Sequence, residues 1–339
     1  MPSNPTSADA ASGVPGLISV IIPALDQQDF ICDALASLAN QQLGGRQLEV
    51  LLIDDASTDA TTVLAAGFHT QLPGLRIINH GTTRGVSTAR NTGLEHATGE
   101  FITFLDPDDW LGPEQLRLLA QGLEDLDVDF VRCDHVRVTG HKREVHRAPQ
   151  ARRSTRLDPA RDIAPIHTAS MIDYPFVWAG MYRAGVLATA APRFKDSLRT
   201  CEDREWFWRL CLNAESYAVL DAPGIFYRRG VPGSLTGILD ERQLDFLPAY
   251  ASILSVATDA CAPTGHGAKA MRQFFAVACH HLARSEQFTP AVRTRLRAGT
   301  AKLLAESPAE LVARSLDQLD APRRKILTGL RASLSGRVA

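Results

Sequence analysis

Short apolar runs alternate with helical patterns through the first part of the chain. Runs typical of buried strands occur at 17–23, 48–54, 75–80, 100–106 and 128–138. Between them, apolar residues recur at helical spacing, as in DFICDALASLANQQ, STARNTGLEHA and EQLRLLAQGLED. This alternation predicts an α/β fold with a doubly wound, mixed but mostly parallel sheet that has helices on both faces.

The pattern changes after the fifth predicted strand. The stretch 139–165 is rich in Lys and Arg, and it is either a solvated hairpin and loop or an electropositive rim for an anionic acceptor. Mixed structure returns downstream, with a helix predicted over 202–214. From about residue 239, helical spacing broken by Pro/Gly joints such as CAPTGHG predicts an all-helical C-terminal region.

Three parts of the chain follow from these patterns. Residues 1–16, rich in Pro, Ser, Ala and Gly, are expected to form a disordered tail without the features of a signal peptide. Residues 17–236 are expected to form the α/β domain, and residues 237–339 a helical domain. No apolar run approaches the roughly 18–20 residues that span a bilayer. We therefore expect a cytoplasmic protein.

Composition excludes some partners and some chemistry. The 36 basic and 38 acidic residues among 339 leave a net charge of −2, so no global field favours nucleic acid or membranes. The six cysteines form no CxxC pair, which favours reduced thiols over a disulfide framework.

The most informative stretch is FITFLDPDDW, in which three acids directly follow an apolar strand. Asp106, Asp108 and Asp109 repel one another and resist burial, so a cation is expected beside them. Mg²⁺ prefers oxygen ligands and commonly takes one or two carboxylates plus substrate phosphates. Alone, this stretch could also be a turn. A second pair, Asp54 and Asp55, ends another strand at the same predicted edge, where ligands of such sheets bind.

Four stretches together resemble the ordered motifs of the family-2 inverting glycosyltransferases. They are SVIIP, LLIDDASTD, RGVSTARNTGLEHATGEFITFLDPDDW and CEDREWFWRL, and the resemblance spans roughly residues 17 to 235. It implies a GT-A fold over 17–236, with nucleotide-sugar binding and a metal-binding Asp-x-Asp motif. The C-terminal region lies outside these motifs but resembles helical extensions of some bacterial members.

The resemblance assigns residues to the nucleotide. Pro23 matches the position where backbone groups meet the nucleobase, and Asp55 the position that recognises the base of a uridine-type nucleotide. Arg84, Arg90 and Asn91 fall in a stretch associated with nucleotide and diphosphate contacts. For Arg90, a structural salt bridge at the sheet edge is an equal alternative.

The resemblance also assigns the chemistry. Asp108 matches the direct ligand of Mn²⁺ or Mg²⁺, and Asp106 the acid near the ribose or the metal waters. Glu202 and Asp203 match a Glu-Asp motif in which the Asp is the catalytic base. Asp203 opens a predicted helix, whose dipole favours the ionised, base-competent carboxylate.

A Gly-containing loop at 226–237 follows the last predicted strand. Arg228 or Arg229 in this loop would stabilise the departing diphosphate as the loop closes over the donor. The chain departs from the family around the base, because Leu25, Asp26 and Ala56 stand where an aromatic residue, Asn and Gly are common. These departures leave the identity of the nucleotide open.

The predicted function is a metal-dependent, inverting transfer of a hexosyl or similar group. The donor is a nucleoside diphosphate sugar, with a UDP-sugar favoured, and the acceptor is a hydroxyl group of a cell-surface glycan, glycolipid or polymer. Three roles are open for the C-terminal helices: homodimerisation, docking on a membrane assembly at the inner face of the membrane, and binding of the acceptor polymer. Dimerisation or partner docking is favoured.

Three alternatives fall in other functional classes. A non-catalytic nucleotide-sugar-binding or assembly protein would share the fold without the chemistry. A nucleotidyltransferase would need a Gly-rich loop after the first strand, where IIPALDQQD has none, and a dehydrogenase would need a GxGxxG motif, which is absent.

Overall fold

The computed structural model describes residues 13–190, 193–231, 238–259 and 265–335. Its strands are β1 Val14–Ala24, β2 Gln47–Asp54, β3 Leu75–Asn79, β4 Gly99–Phe104, β5 Trp110–Leu111, β6 Phe130–Cys133, β7 His135–Thr139, β8 Lys142–His146, β9 Gly180–Arg183, β10 Tyr217–Leu220 and β11 Ile225–Arg228. Its helices are α1 Ile31–Ala39, α2 Thr61–Ala66, α3 Val86–His96, α4 Gln115–Leu126, α5 Ala184–Thr189, α6 Glu202–Asn213, α7 Phe246–Ala257, α8 His266–Ala283, α9 Pro290–Glu306, α10 Ala309–Asp317 and α11 Ala321–Ser335.

The strands form a large mixed sheet and a smaller one. The large sheet has seven strands in the order β10-β6-β9-β4-β1-β2-β3, and β9 is antiparallel to both of its neighbours. The small sheet has the order β5-β11-β7-β8. Val20 and Ile21 of the interior strand β1 point to opposite faces of the sheet and are both completely buried, as expected for a strand covered on both faces. The predicted mostly parallel α/β fold with C-terminal helices is confirmed.

Two predicted boundaries differ from the structure. β1 begins at Val14, whose N–H donates to the Thr98 carbonyl at 2.8 Å, so the predicted tail of residues 1–16 extends too far; residues 1–12 lie outside the described part. The single strand predicted over 128–138 is two strands in different sheets. It breaks at the buried Asp134, whose carboxylate turns away to accept the Ala148 N–H at 2.8 Å.

The basic stretch after β7 is a hairpin and loop with several internal ion pairs. β7 and β8 form an antiparallel hairpin whose second strand is mostly exposed. In the following loop, Arg152 lies 2.9 Å from Asp162, and Arg153 lies 2.9 Å from Asp134. These pairs occupy arginines that the alternative interpretation would have left free for an anionic acceptor.

The C-terminal helices pack directly on the α/β part. One continuous hydrophobic core includes Ile18 of β1, Trp208 of α6 and Leu316 of α10. The Trp208 indole N–H also donates to the Gln273 side chain of α8 at 2.9 Å. The predicted division at 236/237 remains a prediction, because residues 232–237 lie outside the described part.

Within the described residues, no helix is both long and apolar enough to cross a bilayer. The five described cysteines are free thiols, and Cys261 lies outside that part of the chain.

Candidate active site

The acids after β2 and β4 lie at one edge of the large sheet. β1 pairs in parallel with both strands, with Ala24 opposite Asp54 and Ile21 opposite Phe104. The carboxyl ends of the three strands therefore meet at the same edge, and Asp106 follows two residues after Phe104. The predicted meeting of the two acidic stretches is observed.

Arg90 connects this edge to the start of α6. Its Nη1 donates to Glu202 Oε1 at 2.7 Å, and its Nη2 donates to Asp106 Oδ1 at 3.2 Å. Burial alone would lower the pKa of Arg90, but the charges of Asp106 and Glu202 outweigh burial and raise it. Of the two interpretations of Arg90, the structural salt bridge is the one observed, and its guanidinium is committed to protein carboxylates.

The Glu-Asp motif opens α6 as predicted. Phe207, Leu210 and Cys211 on the same helix are buried and anchor it in the core. Asp203 is half-buried, and its Oδ1 accepts the N–H of Arg204 at 2.7 Å.

Burial decides the protonation of both acids. It raises the pKa of Asp203, against the opposing charges of Arg204 and Arg90. Burial, with the charge of Asp203, likewise raises the pKa of Glu202 to about 7, and the opposing charge of Arg90 offsets this only in part. The helix dipole was expected to keep Asp203 ionised, and burial outweighs that effect. A raised pKa strengthens a general base, provided that the group is still ionised at the working pH.

The turn after β4 holds two further acids, Asp108 and Asp109, which are partly or fully buried close to other carboxylates. Burial, with the charge of Asp106, raises the pKa of Asp108 to about 6. Asp109 is almost completely buried. Burial, with the charges of Asp106 and Asp108, raises its pKa well above the ordinary value. Its Oδ1 accepts the Arg228 N–H at 2.7 Å, while Oδ2 has no partner among the described residues. Asp109 therefore fixes the end of β11 to the turn after β4.

The donor set suits a hard cation only together with substrate oxygens. Asp106 and Asp108 offer carboxylate oxygens two residues apart, and their mutual repulsion is what a divalent ion would relieve. The described residues contain no cluster of three or more His, Cys, Asp or Glu side chains with metal-binding geometry. The two acids thus fit Mg²⁺ or Mn²⁺ held largely by a diphosphate, and they do not form a complete protein cage.

The carboxylate of Asp55 is already hydrogen-bonded to groups of the protein itself. It accepts the N–H groups of Arg84 and Gly85, each at 2.8 Å, and lies 2.8 Å from His80 Nδ1. In the part of the chain that the structure describes, the carboxylate of Asp54 accepts only the Ser57 N–H, at 3.3 Å to each oxygen. The predicted base-recognising acid therefore holds the 80–85 loop in place, and Asp54 has the greater spare acceptor capacity.

Pro23 and Arg84 both lie at the acidic edge of the large sheet. Pro23 is the penultimate residue of β1, at the same sheet edge. The Arg84 side chain is exposed, while its backbone is fixed by Asp55.

Asn91 is a structural residue in this fold. It is buried, and its Nδ2 donates to the Phe194 carbonyl and to Asp196 Oδ1, each at 2.9 Å. Its Oδ1 accepts the Phe194 N–H at 2.8 Å. Both amide hydrogens are used, so the predicted diphosphate contact is replaced by an anchor for the 194–196 segment.

The two arginines at the end of β11, Arg228 and Arg229, differ in how strongly other side chains hold them. Arg228 lies between the rings of Phe30 and Trp110, at 5.1 and 4.8 Å from their centroids, and donates to Asp33 at 2.7 Å. The contact predicted between Arg228 and the leaving group is therefore unavailable in this arrangement. Arg229 is exposed, and within the described residues its guanidinium donates to the Tyr227 hydroxyl at 3.0 Å and to no other group. Residues 232–237 of the predicted loop lie outside the described part.

Sequence reasoning missed two supporting residues. His80 joins Asp55 to the Thr92 hydroxyl, which lies 2.9 Å from Nε2. Asp196 accepts hydrogen bonds from Thr88 and Asn91. The position of His80 directly after β3, at the acidic strand edge, could have indicated the first; nothing near Asp196 in the sequence indicates the second.

Comparisons with known proteins agree with this architecture. A family model described as glycosyl transferase family 2 matches residues 19–181. EpsJ of Bacillus subtilis, described as an uncharacterized glycosyltransferase, is 28% identical over 225 residues, or 66% of this chain and 63% of EpsJ. The poly(ribitol-phosphate) beta-N-acetylglucosaminyltransferase TarS of Staphylococcus aureus is 28% identical over 210 residues, or 62% of this chain and 35% of TarS. The chain thus matches less than two thirds of the length of these curated relatives.

The fold is also similar to solved structures. The crystal structure of S. aureus TarS 1–349 with UDP has a TM-score of 0.72 and 21% identity, over 93% of this chain and 87% of that one. The same protein with UDP-GlcNAc also gives 0.72, at 20% identity over the same shares of the two chains. At this identity the likeness concerns the fold alone.

Proposed function

The chain belongs to glycosyl transferase family 2, and on that premise we propose that it transfers a sugar from a nucleoside diphosphate sugar to a hydroxyl group of a cell-envelope glycan or glycolipid, with inversion. The observation that carries this proposal is the link through Arg90 between Asp106 and Glu202. It brings the acids suited to a diphosphate and its cation together with the acids that open α6. A single displacement needs both groups in one place.

Asp203 is the proposed general base. Its carboxylate takes the proton of the acceptor hydroxyl as that oxygen bonds to the anomeric carbon, and the bond from this carbon to the diphosphate oxygen breaks on the opposite side. The raised pKa of Asp203, caused by burial, suits proton abstraction near neutral pH. The exposed Arg84 and Arg229 are the cations available to the departing diphosphate.

Asp108 and Asp106 would hold Mg²⁺ or Mn²⁺. When bound, such an ion offsets the charge that develops on the leaving diphosphate. Asp106 would then be shared with Arg90, which fixes the orientation of its carboxylate through the 3.2 Å bond.

A UDP-sugar is the favoured donor. Support comes from the fold shared with TarS, whose crystal structures contain UDP and UDP-GlcNAc. Asp54, with its spare acceptor capacity, is the acid proposed to contact the nucleobase. Asp55 contributes indirectly, because it holds the 80–85 loop in place. The names of TarS and of GgaA, a minor teichoic acid biosynthesis protein of B. subtilis, support an acceptor in the cell envelope. Self-association and membrane docking through the C-terminal helices stay predictions.

A thermal-shift screen tests the donor and the cation together. UDP-GlcNAc, UDP-glucose and GDP-mannose are added with and without Mn²⁺, and the unfolding temperature is measured. We expect a UDP-sugar to raise it, with a metal-dependent part that is lost in Asp108→Asn and kept in the exposed control Asp125→Asn. If none of these nucleotide sugars stabilises the wild-type protein under either condition, the proposed function is wrong.

A further inference from the structure

A cavity of about 480 Å³ lies between α6, the helix that carries Asp203, and the C-terminal helices α8, α10 and α11. The charged and amide groups that line it include Arg204, Arg272, Arg323, Asp173, Asp320, Gln273 and Gln318. Arg204 belongs to α6, whereas Arg272 and Arg323 belong to α8 and α11. The cavity is thus a joint product of the two parts of the chain, and the chemistry proposed above does not use it.

The three arginines have donors to spare. Among the described residues, the Arg204 guanidinium makes no hydrogen bond and no ion pair. Arg272 donates to a backbone carbonyl, that of Ile166, at 2.7 Å. Arg323 lies 3.5 Å from Asp320 in a largely exposed pair, which holds it weakly.

Two polar residues beside these arginines, Asp173 and Gln273, already have partners within the protein. Asp173 lies 2.6 Å from the ammonium group of the completely buried Lys269. Gln273 donates to Asp173 at 2.7 Å and accepts from the Trp208 indole at 2.9 Å. The cavity therefore has a rigid polar wall and an excess of positive charge, which suits an anion.

We propose that this cavity binds a phosphate group of the acceptor; the inference rests on the proposed function and specifies its acceptor. Arginine forks match the geometry of phosphate oxygens and bind them in pairs. Arg204 directly follows the proposed base, and its N–H donates to the Asp203 carboxylate at 2.7 Å. A phosphate held by Arg204 keeps the neighbouring part of the acceptor beside Asp203. The C-terminal helices, with two of the three arginines, are then part of the acceptor site.

Binding of inorganic phosphate to the full chain tests the cavity directly. Calorimetric titrations at constant ionic strength compare the wild type with Arg272→Gln and Arg323→Gln, which lie on different helices. Arg314→Gln, on the exposed face of α10, is the matched control. We expect affinity to fall roughly tenfold or more in each cavity variant and to stay unchanged in the control. No binding to the wild type, or equal binding in all four proteins, overturns the inference. Unfolding temperatures verify that each variant is folded.

The source of the phosphate is tested by kinetics and by nucleotide binding. With a polyol-phosphate acceptor, Arg272→Gln should raise the KM for the acceptor while the KM for the donor and the affinity for UDP stay unchanged. A neutral glycan acceptor should show no such change. Weaker UDP binding in Arg272→Gln would assign the cavity to the donor, and an equal loss with the neutral acceptor would exclude phosphate recognition; either result overturns the inference.

The two proposals fail in different ways. If the wild type transfers sugar but the cavity variants leave acceptor kinetics unchanged, the function stands and the acceptor site is elsewhere. If the wild type binds no nucleotide sugar, the function is wrong, whatever the phosphate titrations give.

Discussion

Arg90 and Glu202 are 112 residues apart in the sequence, yet Arg90 Nη1 and Glu202 Oε1 are 2.7 Å apart in the fold. The same guanidinium reaches Asp106 with its other terminal nitrogen. One buried cation thus fixes the distance between the acidic turn after β4 and the acidic first turn of α6.

Removing the guanidinium group of Arg90 should destabilise the fold. Arg90→Met leaves the Asp106 and Glu202 carboxylates without their shared partner, and we expect the free energy of unfolding to fall by roughly 3–5 kcal/mol in urea denaturation. The double variant Arg90→Met/Glu202→Gln removes one of the stranded charges and should recover part of the loss. Wild-type stability in the single variant would show that Arg90 does not join the two motifs energetically.

The contribution of Glu202 to stability should fall as pH rises through neutrality. Burial raises the pKa of folded Glu202 to about 7, above its ordinary value of 4.5. Between these values the folded state binds more protons than the unfolded state, so the stabilisation is complete below about pH 4.5 and is lost as pH passes about 7. The loss is up to about 3 kcal/mol. Asp108, whose pKa is raised to about 6, contributes in the same direction.

Urea denaturation at several pH values measures this slope. Glu202→Gln cannot titrate and should remove its own part of the slope, and Asp108→Asn should remove a smaller part. Asp109 and Asp203, whose pKa values burial also raises, act in the same direction, whereas the buried His135 and His281, whose pKa values burial lowers, act in the opposite direction. The assignment is contradicted if the difference in stability between the wild type and Glu202→Gln stays constant between about pH 5 and about pH 8.

The sequence predicted those features that depend on local periodicity. Strands β1 to β4 and the acids at their ends follow from apolar runs and from the parallel order of the sheet, so Asp54 and Asp106 were correctly placed at one edge. The start of α6 at Glu202 was also predicted correctly.

What the sequence did not predict depends on contacts between distant segments. Asn91 and Phe194 lie 103 residues apart, and nothing in either stretch indicates that the amide is already used. The occupied carboxylate of Asp55 depends on how the 80–85 loop folds back onto it. The broken fifth strand depends on a partner for the buried Asp134, which lies beyond the hairpin. Periodicity describes one element at a time and does not report such partners.

A departure from the family pattern has a measurable backbone consequence. Ala56, where the family commonly has Gly, adopts a left-handed conformation with φ of 68°. This conformation costs a residue with a Cβ about 1–2 kcal/mol, while Gly costs about 0.5–1 kcal/mol more in unfolded-state entropy. Ala56→Gly should therefore raise the free energy of unfolding by roughly 0.5–1 kcal/mol. Ala251→Gly, at an exposed position inside α7, is the matched control and should lower it by a similar amount. If both variants lower stability equally, Ala56 is not strained.

The role of Asp203 is the sharpest prediction about chemistry. Asp203→Asn keeps an oxygen that can accept the Arg204 N–H, so the start of α6 should stay intact. The amide cannot accept the acceptor's proton, and turnover should fall by about 10²–10⁴-fold. The affinity for the donor, measured by calorimetry, should remain nearly unchanged.

Glu205→Gln provides the control on the same helix. Glu205 also carries a carboxyl group and is more deeply buried, but it pairs with Arg209 at 2.9 Å on another side of α6. Its loss should lower the unfolding temperature and leave turnover per folded molecule close to the wild type. Normal turnover in Asp203→Asn would assign proton abstraction to another group. An equal loss in both variants would mean that the integrity of the helix, and not the carboxylate of Asp203, supports catalysis.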